Sequence, residues 1–458
     1  MRRSIAALRE EFASKLAALV ALPSVSVEPG RHGDVRRCAR LACSYLRDLG
    51  AQAAVIETGG LPLVWGRIVQ DPAFPTVTVY NHLDVQPADG DGWRTSPFAL
   101  ARVGDRYFGR GATDDKGPLL AALFGARLAL AASVRLNFHF LWECEEEIGS
   151  PSFAVALAAL AKGSRQRPAL RTDSVVVSDT IWPSAQKPAI AYGLRGLLGF
   201  LVRLRTGETA VHSGTTGGAA RNPVAELAAL LAGCHEARTG RIHIPGFFDE
   251  VRKLRPAERR ELARSGLEVA AFRKAHGLRS LRVADDRSLA EAIMARPTFE
   301  VHGIVGGYGG PGIKTIVPHE AEAKLSCRLV PGQRPRQVFR RLRRFIADKC
   351  PDAEVVFESA LEPYLADSEG PFLRAAGRAM RETFGRQPAL TREGGSIGAV
   401  VTMAQILRKE VVLLGLSLPE DGYHAPNESF AWPQAGGGIE LFYRYFHHLA
   451  ALGRGRKG

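Results

Sequence analysis

Residues that could bind metal ions recur at five separate places in the chain. They are His82, Asp114, Glu147, Asp179 and His424. These side chains offer only nitrogen and oxygen donors, which suit zinc, and also manganese or cobalt, in a hydrolytic site with open coordination positions. One metal ion would not need five ligands, whereas two ions about 3.5–4 Å apart that share a carboxylate would use all of them. The pattern therefore favours a dinuclear centre.

Further carboxylates accompany these candidate ligands. Asp114 is the candidate for the shared carboxylate, and Asp84 could accept the second ring N–H of His82, which would fix its tautomer. Glu146 is a spare carboxylate beside Glu147, and it could take a proton from the attacking water and pass it to the leaving amine. Taken singly, each residue has an ordinary interpretation as a core histidine, a helix cap or a solvated strand end. Only their combination argues for a metal site.

Expected β-strands that alternate with helices must position these residues. Strand-like runs at Thr76–Tyr80, Val134–Trp142 and Ser174–Ser178 precede His82, the Glu146–Glu147 pair and Asp179. Such alternation predicts an α/β fold, with a mostly parallel sheet and helices on both faces. In such sheets the functional site forms at the carboxyl ends of the strands. We therefore expect these side chains to meet at one edge of the sheet.

The chain has 458 residues, which predicts more than one domain. The pattern changes near Gly193 to that of an α+β unit, and the α/β pattern returns near residue 370. We predict a catalytic domain in two parts, 1–194 and 363–458, and an inserted domain at 195–362.

Composition limits the other classes of function. The formal net charge is +14, but the basic residues are mostly scattered arginines without interleaved aromatic side chains, which argues against a nucleic-acid partner. The sequence contains no uncharged apolar run of about 18 residues, so it predicts no membrane span. Charged residues interrupt the N-terminal segment, which is typical of a surface helix and not of an export signal. Six widely spaced cysteines without a CxxC pair predict neither a disulfide framework nor a thiolate zinc site, and they fit a cytoplasmic protein.

Five sequence motifs resemble those of the M20 family of metallopeptidases, and in particular its dipeptidase branch. They are Asn81–Pro87, Tyr107–Gly117, Glu146–Ser150, Tyr192–Gly196 and Thr391–Ile397. The resemblance implies that His82, Asp114 and Asp179 hold one metal ion and that Asp114, Glu147 and His424 hold the other. It also implies that Glu146 is the general base, that Asp84 supports the ligands, and that the Asp114–Asp115 peptide bond is cis.

The inserted domain resembles the lid and dimerisation domain of that family. By this resemblance, His212 would reach the active site of the partner subunit in a homodimer, although alone it would be interpreted as an exposed loop histidine. Arg328 would bind the substrate's C-terminal carboxylate, and Thr315 and Ser396 would supply helper hydroxyl groups. The sequence departs from the family at Asn81, Cys144 and Gly398, next to the expected substrate pocket, and the departures bear on substrate preference.

The resulting prediction is a dinuclear metal-dependent hydrolase that cleaves the amide bond of dipeptides or small peptides with a free C-terminal carboxylate. Zinc is the preferred metal. An aminoacylase, deacetylase or carbamoylase that acts on N-substituted amino acids is the alternative enzyme, because the amide chemistry is the same. A non-catalytic binding protein on a peptidase scaffold is disfavoured because every expected metal ligand is present.

Overall fold

The structure is a computed structural model that describes residues 2–88, 90, 92–165 and 167–454. The α-helices of these residues are α1 Arg2–Ala6, α2 Arg9–Val20, α3 His32–Asp48, α4 Lys116–Ala131, α5 Phe153–Lys162, α6 Ser213–Thr216, α7 Pro223–Cys234, α8 Pro256–Ala263, α9 Val269–Ala275, α10 Asp286–Met294, α11 Pro335–Lys349, α12 Pro371–Phe384, α13 Gly398–Leu407 and α14 Trp432–Arg454. Three short 3-10 turns lie at Pro29–Arg31, Glu146–Ile148 and Pro419–Asp421.

The β-strands are β1 Gln52–Ile56, β2 Leu63–Ile68, β3 Thr76–His82, β4 Ala101–Val103, β5 Arg106–Phe108, β6 Asn137–Glu143, β7 Ser174–Val177, β8 Ala189–Leu194, β9 Gly196–Arg205, β10 Val211–His212, β11 His235–Glu236, β12 Arg241–Ile242, β13 Glu300–Gly306, β14 Ile316–Val317, β15 Glu320–Leu329, β16 Glu354–Leu361, β17 Tyr364–Leu365, β18 Ala389–Glu393, β19 Val411–Leu413 and β20 Ser429–Ala431.

Within the described residues, the largest sheet has nine strands in the order β1-β2-β6-β3-β7-β19-β8-β17, with β18 also paired to β8. At its centre β6, β3, β7 and β19 run parallel to one another. The edges contain antiparallel pairs. Strands β6 and β7 are buried along their whole length, as expected where helices cover both faces of a parallel sheet. The predicted α/β fold with a mostly parallel sheet is therefore confirmed, and its parallel part is the centre of the sheet.

Helices cover both faces of this sheet. On one face α4, α12 and α14 pack together, and the Phe446 ring of α14 lies 5.0 Å from the Phe138 ring of β6 in an edge-to-face contact. Gly125 in α4 permits this packing, because an ideal Cβ there would lie 2.5 Å from the Cβ of Phe442. On the other face α5 and α13 bury Leu157 and Met403. The chain thus has a substantial apolar core on each side of the strands.

A second, four-stranded antiparallel sheet has the order β13-β15-β9-β16. Strand β9 alternates between more and less buried residues, as is typical of a strand in a half-exposed sheet. Helices α7 and α11 supply the other half of this core, with Leu231 and Leu342 buried against Phe200. The chain leaves the large sheet between β8 and β9 and returns to it between β16 and β17. We keep the division into 1–194, 195–362 and 363–458 as our proposal for the domain boundaries.

The segment 250–295 of the inserted unit contacts the large sheet. Helices α8 and α10 pack beside β18. There Arg392 Nη2 lies 2.6 Å from Glu258 Oε1, and both side chains are about 95% buried. Because a buried charge is costly unless it is paired, this ion pair fixes the position of α8 on the catalytic part of the chain.

Three further features bear on the sequence predictions. The N-terminal segment, which the sequence predicts as a surface helix, is divided into α1 and α2 at Ala7 and Leu8. The six cysteines are buried and unpaired. Among the described helices, none has the length and apolar composition that a membrane span requires.

Candidate metal centre

The parallel centre of the sheet places most of the candidate ligands. His82 is the last residue of β3, Asp179 follows β7 by two residues, and Glu146 and Glu147 form a 3-10 turn just after β6. Because β6, β3 and β7 are parallel neighbours, their carboxyl ends meet at one edge of the sheet. His424 lies in the loop that follows β19, with a left-handed backbone at φ 55°.

The two histidines face the same carboxylate. His82 Nε2 lies 2.9 Å from Asp114 Oδ1, and His424 Nε2 lies 2.9 Å from Asp114 Oδ2. His424 Nε2 is also 3.3 Å from Glu147 Oε2, and His82 Nε2 is 3.9 Å from Asp179 Oδ2. Asp114 therefore lies between two groups of potential ligands, as a carboxylate shared by two ions would.

Two sets of side chains could each hold an ion. The ligand atoms of His82, Glu146 and Asp179 lie within 4.8 Å of one another, and those of Asp114, Glu147 and His424 do the same. The first set contains Glu146, which the sequence assigns to proton transfer. Asp114, which the sequence assigns to both ions, contacts His82 directly.

The electrostatics of the cluster fit divalent cations. Burial and the charge of Asp179 raise the pKa of Glu146 well above its ordinary value, and burial and the charge of Asp114 raise that of Asp179 to about 6. Hydrogen bonds to Asp114 and Glu147 raise the pKa of His424 to about 10. These shifts all reflect an excess of buried carboxylates over imidazoles. Because a divalent cation would neutralise that excess, the donor set fits two such ions.

Asp84 supports the site in a different way from the one expected. His82 Nδ1 lies 3.0 Å from the main-chain oxygen of Asp84 and 3.5 Å from its carboxylate Oδ1. The carboxylate instead accepts hydrogen bonds from the backbone N–H groups of Glu146 at 3.2 Å and Glu147 at 3.0 Å. Asp84 thus orients the imidazole mainly through its backbone and orients the glutamate pair through its side chain.

Glu428 anchors the loop that carries Asp114, a contact that no pattern in the sequence indicates. Its Oε1 accepts hydrogen bonds from the N–H groups of Thr113 at 2.9 Å and Asp114 at 3.0 Å. Its Oε2 accepts from the Gly111 N–H at 2.9 Å and from Arg110 Nη1 at 3.0 Å. Strand β20 pairs with β5 directly beside this loop, which brings Glu428 to it. The Asp114–Asp115 peptide bond is cis, as expected.

Two other residues, without a role in the sequence prediction, orient candidate ligands. Gln86 Nε2 donates to Glu147 Oε2 at 2.7 Å, and the partly buried Tyr423 hydroxyl donates to Asp179 Oδ1. Contacts of this kind fix which carboxylate oxygen faces an ion. Both residues flank candidate ligands in the sequence, but their types alone do not indicate the contact.

Arg328 and Ser396 contact each other. Arg328 Nη1 donates to Ser396 Oγ at 3.1 Å. The loop after Ser396 packs on the glutamate turn, because an ideal Cβ on Gly398 would lie 3.5 Å from the Gly149 oxygen. The segment that follows Ser396 thus approaches the turn that carries Glu146 and Glu147.

His212 and Thr315 form a separate pair. They lie on an exposed two-stranded ribbon, in which β10 pairs with β14 and the Ser213 N–H donates to the Thr315 oxygen at 3.0 Å. His212 Nδ1 accepts from the Gly214 N–H at 2.9 Å. Among the described residues, no hydrogen bond or ion pair joins His212 or Thr315 to the acidic cluster. Within one chain, these two residues are therefore not brought to the metal centre.

Comparisons with known proteins show which sequences and structures this chain is similar to. The sequence profile of peptidase family M20/M25/M40 matches residues 78–448. The chain is 34% identical to Beta-Ala-His dipeptidase from Homo sapiens, over 97% of this chain and 91% of that protein. It is 31% identical to a Cys-Gly metallodipeptidase from Schizosaccharomyces pombe, over 97% and 96%. The structure of an M20 family metallo-carboxypeptidase from Sulfolobus solfataricus superposes with a TM-score of 0.87 at 28% identity, covering 96% of this chain and 99% of that one.

Proposed function

The chain belongs to peptidase family M20/M25/M40, and we propose that it is a dinuclear metallodipeptidase, which hydrolyses dipeptides or small peptides with a free C-terminal carboxylate. The observation that carries this proposal is the approach of His82 and His424 to the two oxygens of Asp114, beside a pair of glutamates. The similarity to two dipeptidases over almost the whole chain supports the choice of dipeptides as substrates.

We propose that His82, Asp114 and Asp179 hold one divalent ion and that Asp114, Glu147 and His424 hold the other. Zinc suits this set of nitrogen and oxygen donors, and manganese and cobalt are the alternatives. When bound, the two ions would polarise the scissile carbonyl group and activate the attacking water.

Glu146 is the proposed general base. Its carboxylate lies in the same group as those of His82 and Asp179, and its backbone N–H is held by Asp84. From there Glu146 accepts the proton of the attacking water and delivers it to the nitrogen of the leaving amine. Arg328, with Ser396 beside it, binds the substrate's C-terminal carboxylate, because a guanidinium group can bind both carboxylate oxygens.

A homodimer through the inserted domain is part of the proposal. Strand β13 forms an edge of the four-stranded sheet and leaves Val301, Ile304 and Val305 between 43% and 61% exposed. An exposed apolar edge strand is a surface on which a second chain could pair. In such a dimer, His212 and Thr315, which do not reach the acidic cluster of their own chain, would complete the site of the partner.

The location and the remaining partners are also proposals. The six unpaired, buried cysteines support a cytoplasmic location. The scattered distribution of arginines supports a protein without a nucleic-acid partner.

A substitution of Glu146 tests the proposed mechanism. Glu146→Gln keeps the size of the side chain but removes the proton acceptor, so we expect kcat for dipeptides to fall by about three orders of magnitude or more. The content of two metal ions per chain, measured by elemental analysis, should stay the same because the proposed ligands are intact. Near-normal turnover in this variant would remove Glu146 from the mechanism.

The alternative substrates are separated by a direct panel. Purified protein is loaded with zinc, manganese or cobalt and assayed with dipeptides, N-acetyl amino acids and N-carbamoyl amino acids. The proposal expects kcat/KM to be highest for dipeptides. Faster hydrolysis of the N-acyl or N-carbamoyl compounds would replace it with the aminoacylase or carbamoylase alternative.

A further inference from the structure

Two neighbouring, half-buried arginines form no ion pair with an acid among the described residues. Arg195 lies between β8 and β9, and Arg328 lies in β15. Neither side chain forms an ion pair with an aspartate or glutamate anywhere in the part of the chain that the structure describes. Guanidinium groups that are partly removed from water are normally paired, because burial of an unpaired charge is costly. The pair therefore indicates a place where anions bind.

Both arginines are held by the same short loop. Arg195 Nε donates to the Gly394 oxygen at 3.0 Å, and the Arg195 main-chain oxygen accepts a hydrogen bond from the Ser396 hydroxyl. Arg328 Nη1 donates to the oxygen of that hydroxyl at 3.1 Å. Burial and the charge of Arg328 lower the pKa of Arg195 to about 10, as expected for two neighbouring cations.

The remaining donors of both groups are free to bind a ligand. The Nη1 and Nη2 atoms of Arg195, and the Nε and Nη2 atoms of Arg328, have no hydrogen-bond partner within the described ranges. The charge of Glu300 partly offsets the lowering of the pKa of Arg195, although the two side chains form no ion pair in the described part of the chain. The loop that holds both arginines also packs on the turn of Glu146 and Glu147 through Gly398.

A single carboxylate does not neutralise the two positive charges of Arg195 and Arg328. A single guanidinium group can satisfy both oxygens of a carboxylate, so a substrate with only a C-terminal carboxylate would leave the second arginine uncompensated. A substrate with two carboxylates on its C-terminal residue would pair with both. Two like charges at close range also repel each other less once each has a counter-ion.

We propose that Arg195 and Arg328 form a dianion subsite, through which the protein prefers dipeptides whose C-terminal residue is aspartate or glutamate. Arg328 binds the α-carboxylate and Arg195 binds the side-chain carboxylate. Arg195 is thus a specificity-determining residue. This inference rests on the proposed dipeptidase function, and it adds the class of the C-terminal residue.

The test compares substrates that differ only in charge. Kinetics are measured for Ala-Glu, its neutral isostere Ala-Gln, Ala-Asp and Ala-Ala. We expect kcat/KM for Ala-Glu to exceed that for Ala-Gln by at least tenfold. Arg195→Gln should lower kcat/KM for Ala-Glu by about tenfold or more, mainly through KM, and should change that for Ala-Gln less than about threefold. Arg195→Lys, which keeps the positive charge, should restore part of the preference.

The control is Arg378→Gln, which removes one positive charge from the exposed face of α12 and should leave the preference unchanged. Equal hydrolysis of Ala-Glu and Ala-Gln by the unaltered protein would overturn the dianion subsite but not the dipeptidase function. Loss of activity on both substrates to the same extent in Arg195→Gln would also overturn it. If none of the four dipeptides is cleaved after metal loading, the proposed function itself is wrong.

A second measurement does not depend on the folding of the variants. Free glutamate should inhibit the hydrolysis of Ala-Ala by the unaltered protein at a concentration at least tenfold lower than free glutamine. Equal inhibition by the two amino acids would contradict the subsite.

Discussion

The replacement of Glu428 with glutamine tests how the fold holds the proposed bridging carboxylate. Each oxygen of Glu428 accepts two hydrogen bonds, from Thr113 and Asp114 on one side and from Gly111 and Arg110 on the other. Glutamine has almost the same shape, but its amide group donates hydrogen bonds. Whichever way that amide turns, an NH₂ group must face donors that the carboxylate had satisfied.

The magnitude follows from these four contacts. Hydrogen bonds to a charged group contribute about 1.5–3 kcal/mol each, and the substitution removes at least two of them. Arg110, whose side chain is 4% exposed, also loses its acidic partner. We therefore expect the free energy of unfolding of the metal-free protein to fall by about 3 kcal/mol or more. Because Asp114 belongs to the displaced loop, we also expect metal affinity to fall about 10- to 100-fold, as for other residues that support ligands.

Two assays measure these effects separately. Urea unfolding of the metal-free protein gives the change in stability, and competition with a chelator of known affinity gives the change in metal binding. Glu382→Gln is the matched control, since Glu382 makes its contacts with Arg444 and His448 at the surface. If Glu428→Gln keeps both the stability and the metal affinity of the unaltered protein, the anchoring role is refuted. A loss of stability with normal metal affinity would limit Glu428 to support of the loop.

Three other predictions address the dimer, the contact between the domains and the metal ions. If His212 acts in the partner's site, a mixture of the inactive His212→Ala and Glu146→Gln proteins should recover about a quarter of the normal activity once the subunits exchange. Half of the dimers are then mixed, and each mixed dimer contains one complete site. No recovery of activity after proven subunit exchange would contradict this role of His212. Glu258→Gln removes the charged partner that lies 2.6 Å from the buried Arg392 guanidinium, and it should lower the free energy of unfolding by about 3–5 kcal/mol. The control Glu261→Gln, at a more exposed ion pair, should lower the free energy of unfolding by less than about 1 kcal/mol. Removal of divalent ions with a chelator should abolish hydrolysis and lower the midpoint of thermal unfolding. Addition of zinc, manganese or cobalt should restore the activity and the original midpoint. Hydrolysis that persists in the metal-free protein would argue against the dinuclear mechanism.

Much of the fold can be predicted from the sequence because local residue patterns identify the individual strands and helices. Apolar, β-branched runs that end in a polar residue identify β3 and β7, and the order of strands and helices then predicts that His82 and Asp179 meet at one edge of the sheet. The break between α1 and α2 is not visible in this way, because both segments share one amphipathic pattern. In segment 250–290 the sequence is highly charged, and its helices are fixed by tertiary contacts such as that of Glu258 with Arg392.

The supporting residues of the site are the part that sequence patterns do not reveal. Glu428 is an acid in a polar loop, and its four contacts exist only because β20 pairs with β5. In the sequence, Arg195 is one arginine among many. Only the structure shows that its side chain forms no ion pair with an acid among the described residues. Such residues differ from their surroundings in what they contact and not in their type or spacing, so only the folded structure identifies them.

The site has two sets of charges that the chain itself does not balance. On the catalytic sheet an excess of carboxylates surrounds Asp114, and beside it an excess of guanidinium groups surrounds Ser396. The loop 394–398 holds Arg195 and Arg328 by contacts with neutral groups. Each set alone costs stability, and each is relieved by a ligand of opposite charge. Metal ions would relieve the first and an anionic substrate group the second, so the proposed arrangement would trade stability of the unliganded protein for two binding sites.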